Sequence, residues 1–111
     1  MRHWFRSYWT EEDTWFYFEA DADGWVIRQV ELQGPLAKPI AAASLTEWQA
    51  AQTAGTLADY EKAFGATAEV PVHEWDGHEP HDLTLEEFET VWLAARTACQ
   101  ARARNRSTSG A

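Results

Sequence analysis

Apolar and polar positions alternate with period two along three consecutive stretches at the start of the chain. From His3 to Trp9, Trp4, Arg6 and Tyr8 fall on one face and His3, Phe5, Ser7 and Trp9 on the other. From Thr14 to Ala20, Trp15, Tyr17 and Glu19 share one face and Phe16, Phe18 and Ala20 the other. From Trp25 to Gln33, Val26, Arg28, Val30 and Leu32 alternate with Trp25, Ile27, Gln29 and Glu31. Period-two aromatic and β-branched residues predict strands. Thr10 to Asp13 is polar and reads as a turn. Asp21-Ala22-Asp23-Gly24 predicts a type I turn closed by a glycine bulge, because aspartate side chains accept from nearby backbone N–H groups and glycine accepts a positive φ. Short turns between consecutive strands give an antiparallel meander.

Lys38 to Ala43 predicts a short fourth strand, placed at an edge by Pro39. Ser44 and Glu47 have the spacing of a capping box, so a short helix is expected from Leu45 to about Thr53. Gly55 interrupts it, Thr56 to Phe64 predicts another turn or two of helix, and Gly65 is placed to end it. Ala54 to Ala68 is small-residue-rich and weakly patterned, so mobility is expected there. Glu69 to Trp75 reads as extended or irregular and Asp76 to Asp82 as a loop. Thr84 with Glu87 forms a second capping box. Leu85, Phe88, Val91, Trp92, Ala95 and Cys99 then follow helical spacing, predicting a long helix to about Arg102.

The expectation is one α+β domain over residues 1–104 with a disordered tail at 105–111. A three- to four-stranded antiparallel sheet carries the long C-terminal helix on one face, with short helices in the middle segment. The sheet's other face must be covered by that middle segment or by a partner.

Composition changes this picture in two ways. Seven tryptophans in 111 residues exceed what one small core requires, and large aromatics also favour recognition surfaces. Charge is lopsided as well. All 18 acidic residues precede Arg96, together with only Arg2, Arg6, Arg28, Lys38 and Lys62, so the first 95 residues carry a net charge of −13. An acidic body disfavours nucleic-acid phosphates and favours basic partners. The single cysteine, Cys99, excludes an intrachain disulfide and reads as a small buried hydrophobe. With no apolar run of membrane-spanning length and no signal-peptide core at the N-terminus, a cytoplasmic location is expected.

The densest polar cluster is His73 to Asp82, with three imidazoles and four carboxylates. His73, His78 and His81 lack helical i, i+4 spacing, and Pro80 interrupts them, so a solvated loop is expected rather than a metal site. Asp21 and Asp23 are turn formers, since further oxygen ligands for calcium are missing. Neither a cofactor motif nor a nucleophile setting occurs, and no cofactor is expected. Glu19, Arg28 and Glu31 lie on facing strands. They suit cross-strand pairing on a solvated face, or an Arg28 guanidinium set among tryptophans with Tyr17 and Glu19 nearby.

Tyr17, Glu19, Asp21, Asp23, Gly24, Trp25, Arg28, Val30 and Glu31, followed by Glu86, Glu87, Phe88, Glu89 and Trp92, resemble a family of small bacterial proteins of unknown function. The resemblance covers the two ends of the chain. It implies mostly fold, and a paired histidine expected after the first-strand tryptophan is absent here, so no role of that pair carries over. By analogy of size and build, the chain also looks like immunity proteins that neutralise toxins.

Three functional expectations follow. In the first, the chain is a non-catalytic protein-binding domain, of immunity type. It occludes a partner with a basic surface through an aromatic sheet face bearing Trp15, Tyr17, Glu19, Trp25, Arg28 and Glu31. The alternative is a small enzyme or ligand-binding domain with a pocket on the Tyr17, Glu19 and Arg28 face. A symmetric homodimer through the sheet's outer face is a third arrangement.

Overall fold

The structure, a computed structural model, describes residues 1–109. Four strands, β1 (His3–Trp9), β2 (Thr14–Ala20), β3 (Val26–Gln33) and β4 (Lys38–Ser44), form the meander. Helices α1 (Leu45–Ala54) and α2 (Leu57–Phe64) follow. A two-residue strand β5 (His81–Asp82) then pairs with β1, before the long helix α3 (Leu85–Ser109). The sheet order is β4-β3-β2-β1-β5, antiparallel throughout. The α+β class and antiparallel sheet expected from the pattern are present, with β5 as an additional edge strand.

Local chemistry sets the β2–β3 hairpin. Asp21 Oδ1 accepts from the backbone N–H groups of Asp23 (3.0 Å) and Trp25 (2.9 Å), and Gly24 sits at φ +87°. The register then slips beside Ala20, so Glu19 faces Arg28 while Ala20 faces Val26. This bulge places Ile27 outside the ladder and moves Val26 to the face opposite Arg28 and Val30. The simple alternation that grouped Val26 with Arg28 fails there, because an extra residue inverts every side chain beyond it.

Each sheet face carries its own core. On one, Tyr17, Val30 and Ala42 pack under Phe88, Ala95 and Cys99 of α3. The second capping box starts that helix: Thr84 N–H donates to Glu87 Oε1 (2.8 Å) and Glu87 N–H to Thr84 Oγ1 (3.1 Å). α3 continues past the expected end near Arg102 to Ser109, through residues 105–109. Positions 110–111 of the expected tail lie outside the described residues.

The opposite face is crossed by the segment from Gly65 to Pro80, which runs as a strap from β4 to β1. Gly65 passes so close to β4 that a Cβ would lie 2.8 Å from Ala41 Cβ. Ala68 N–H donates to Gln29 Oε1 on β3 (2.8 Å). Val72 N–H donates to Gly24 O (2.8 Å), and Trp75 packs edge-on against Phe18 of β2 at 4.9 Å. His78 reaches Phe5 of β1 at 6.0 Å. The middle segment therefore covers part of this face, as one of the two expected solutions required. Among the described residues, no helix is long and apolar enough to cross a membrane.

Candidate functional site

The hairpin residues singled out in the sequence divide between the two faces. Tyr17, Glu19 and Arg28 lie beneath α3, and Glu19 is only 1% exposed. Its carboxylate accepts from Trp4 Nε1 (2.9 Å) and Arg28 Nε (2.5 Å), with Arg2 Nη1 at 3.5 Å. Arg28 Nη2 also pairs with Glu89 of α3. Its guanidinium stands 5.0 Å from the ring centres of both Phe88 and Trp92. Burial alone would raise the Glu19 carboxyl; the Arg28 and Trp4 hydrogen bonds and the positive charges of Arg28 and Arg2 outweigh it and hold it below the ordinary value. The cross-strand Glu19–Arg28 pair is present, but its face is not solvated. It joins β1, β2, β3 and α3 as an internal ion-pair network.

Two further guanidiniums occupy this layer. Arg6 stacks 4.2 Å from the Trp15 ring centre and donates to Tyr17 Oη (3.1 Å). Arg96 stacks 4.0 Å from Phe64, donates to Glu47 Oε1 (2.6 Å) and Oε2 (3.1 Å), and reaches Ala42 O (3.1 Å). Arg96 thus ties α3 to α1, α2 and β4. Glu47 was legible as a helix cap, yet its side chain serves Arg96 and Tyr60 instead, while only its N–H contacts Ser44 Oγ (3.4 Å).

Two clefts open on the other side, flanking Ala68 and Glu69 of the strap. The first has a volume of about 480 Å³. Phe16 and Phe18 form its floor, their rings nearly parallel at 11° and 6.0 Å apart. Trp9 stands at one end, 48% exposed, and Trp75 forms a wall fixed by its Nε1–H donating to Val70 O (2.8 Å). Glu12, Glu69 and Asp76 supply carboxylates. His78 also lines this cleft, and its Nδ1 and the Oγ of Ser7 are buried without a hydrogen-bond partner among the described residues.

The second cleft, about 500 Å³, is bounded by Trp25, which is 41% exposed, Trp48, Leu45 and Asp21. Among the described residues lining either cleft there is no lysine or arginine. Glu31 lies on this side of the sheet, half-buried; burial, with Glu12 nearby, raises its carboxyl although Gln29 Nε2 donates to it (3.1 Å). Of the sequence candidates, Trp25 and Glu31 thus belong to the open face. Trp15 is half-buried on the α3 side, where His81 meets its ring edge-on at 6.0 Å.

The histidine cluster is dispersed: His73 beside Glu74, His78 among aromatics, His81 in β5. Among the described residues no group of three or more His, Cys, Asp or Glu converges on a metal geometry. Cys99 is fully buried; burial raises its thiol pKa despite nearby Arg102.

Phe16, Phe18 and Trp75 escaped selection as site residues because the pattern shows two aromatic sheet faces without showing which one α3 covers. Glu69 and Asp76 join the Phe16/Phe18 face only through the path of the strap, so the sequence carried no signal for that pairing. No family model, curated protein or solved structure matches the chain.

Proposed function

We propose that this protein binds a protein partner with a basic surface, and that contact is made across the strap side of the sheet. The supporting observation is the chemistry of the two adjoining clefts: exposed tryptophans, carboxylates, and no lysine or arginine among their described lining residues. Tryptophans such as Trp9 and Trp25 have the size and partial exposure of interface anchors. Carboxylates along the same surface speed encounter with a positively charged partner and reject acidic ones. The buried Tyr17, Glu19 and Arg28 then serve to hold α3 and the sheet together, leaving recognition to the opposite face. Occlusion of a basic active site, as an immunity-type protein would achieve it, is the form of binding this surface suits.

The test is affinity capture from the native host with the wild-type chain and an E12Q/E69Q/D76N variant, each at low and high salt. The expected partner is basic, is retained by the wild type at low salt, and is lost both in the variant and at high salt. Association rates should fall by about tenfold or more as ionic strength rises. Capture that survives both neutralisation and salt would refute the proposal.

A further inference from the structure

Both faces of the sheet carry an aromatic layer, and the two are completed differently. On the α3 side the protein's own guanidiniums cover the rings: Arg6 over Trp15, Arg28 over Phe88 and Trp92, Arg96 over Phe64 and Trp92. Two of these cations are also clasped by carboxylates, Arg28 by Glu19 and Glu89, Arg96 by Glu47. Ring, guanidinium and carboxylate recur as a unit.

The first cleft on the strap side holds two parts of that unit. Phe16, Phe18 and Trp75 supply ring surface, Glu69 and Asp76 supply carboxylates, and the described lining residues include no lysine or arginine. We propose that this cleft receives the guanidinium of an arginine side chain from the partner, an inference that rests on the protein-binding reading above. Aromatic faces attract cations through the ring quadrupole, more strongly where water is partly excluded. Arginine suits the site better than lysine because its planar, weakly hydrated head stacks on rings while its edge donates to carboxylates. A volume of about 480 Å³ accommodates such a side chain.

The probe is butylguanidinium, compared with butylurea, its planar uncharged counterpart, and with butylammonium. Each is titrated into the full chain while the indole N–H resonances of the seven tryptophans are followed. Saturable shifts are expected at Trp9 and Trp75, with butylguanidinium bound about tenfold more tightly than butylurea and more tightly than butylammonium. The affinity should drop in E69Q/D76N, whose changes lie at exposed positions, and in W9L. Equal affinity for butylurea would reduce the cleft to an apolar hollow and overturn the inference; stronger binding of butylammonium would overturn the arginine assignment. A basic partner captured equally well by wild type and W9L/D76N would sustain the protein-binding reading and overturn this one. Selective butylguanidinium binding with no basic partner captured would sustain the cleft and remove the partner.

Discussion

Replacing Glu19 by glutamine removes the charge at the centre of the buried network while keeping its shape. The amide then turns an N–H₂ donor toward groups that are themselves donors: Trp4 Nε1, Arg28 Nε and Arg2 Nη1. Breaking a buried ion pair from one side costs about 3–5 kcal/mol, chiefly because the remaining charge is left without its partner. Arg28 keeps Glu89, and Arg2 is exposed, so the lower end, about 3 kcal/mol, applies. Against a total of about 5–15 kcal/mol for a domain of this size, that is a large share. At about 4 °C per kcal/mol it lowers Tm by about 12 °C. Urea unfolding followed by tryptophan fluorescence, paired with calorimetry, measures it. E89Q, made at a partly exposed partner, should cost about 1 kcal/mol or less. The pH dependence carries the sign of the shift. Glu19 is held below the usual 4.5, so its contribution is complete above that value and fades as pH falls through the native one. The gap between wild type and E19Q should therefore be full at pH 7 and close in acid. A cost under 1 kcal/mol, or a cost for E89Q equal to that of E19Q, would refute the reasoning.

Two other outcomes test how the helices and strap are held. Tyr60 accepts from Ser44 N–H (2.9 Å), and its hydroxyl is pushed up to about 12, first by burial and then by Glu47. The native state thus holds this proton longer than the unfolded chain; its stabilisation is complete below about pH 10 and lost as pH rises through about 12. Tyrosinate absorbance should show a late-titrating group that Y60F removes, with Y60F costing about 1 kcal/mol at pH 7 for the Ser44 N–H left unpaired. Gly24→Ala forces a Cβ onto φ +87° and to 3.1 Å from His73 Nδ1, so it should cost about 1–2 kcal/mol and speed amide exchange at Val72, whose N–H bonds to Gly24 O. Unchanged Val72 protection would show that the turn does not anchor the strap.

Elements governed by local chemistry were legible in the sequence. The Asp21 turn and the Thr84–Glu87 box follow from contacts within a few residues, and the edge position of Pro39 from its missing N–H. The bulge at Ile27 was not, since nothing in VIRQVE distinguishes a register slip from continued alternation. The path from Gly65 to Pro80 was also hidden. Its small and polar residues carry no period, and its course is set by distant partners: Ala41, Gln29, Gly24 and Phe18. For the site, alternation correctly separated Trp15, Tyr17 and Glu19 from Phe16 and Phe18, but both sets are aromatic. The stripe of Phe88, Val91, Trp92, Ala95 and Cys99 required some sheet face without specifying which. Arg28 at the centre of one face decided it, because Glu89, Phe88 and Trp92 of α3 supply the charge and rings that this cation needs.

The seven tryptophans report the two faces separately, which makes one titration decisive for the proposed working surface. Trp4, Trp15 and Trp92 pack on the α3 side, Trp9 and Trp75 line the first cleft, and Trp25 and Trp48 line the second. During titration with a short arginine-rich peptide at low salt, the indole N–H resonances of Trp9, Trp75, Trp25 and Trp48 should move and saturate. Those of Trp4, Trp15 and Trp92 should hold still, and added salt should reverse the shifts. Movement confined to Trp4, Trp15 and Trp92, or shifts indifferent to salt, would contradict the assignment of recognition to the strap side of the sheet.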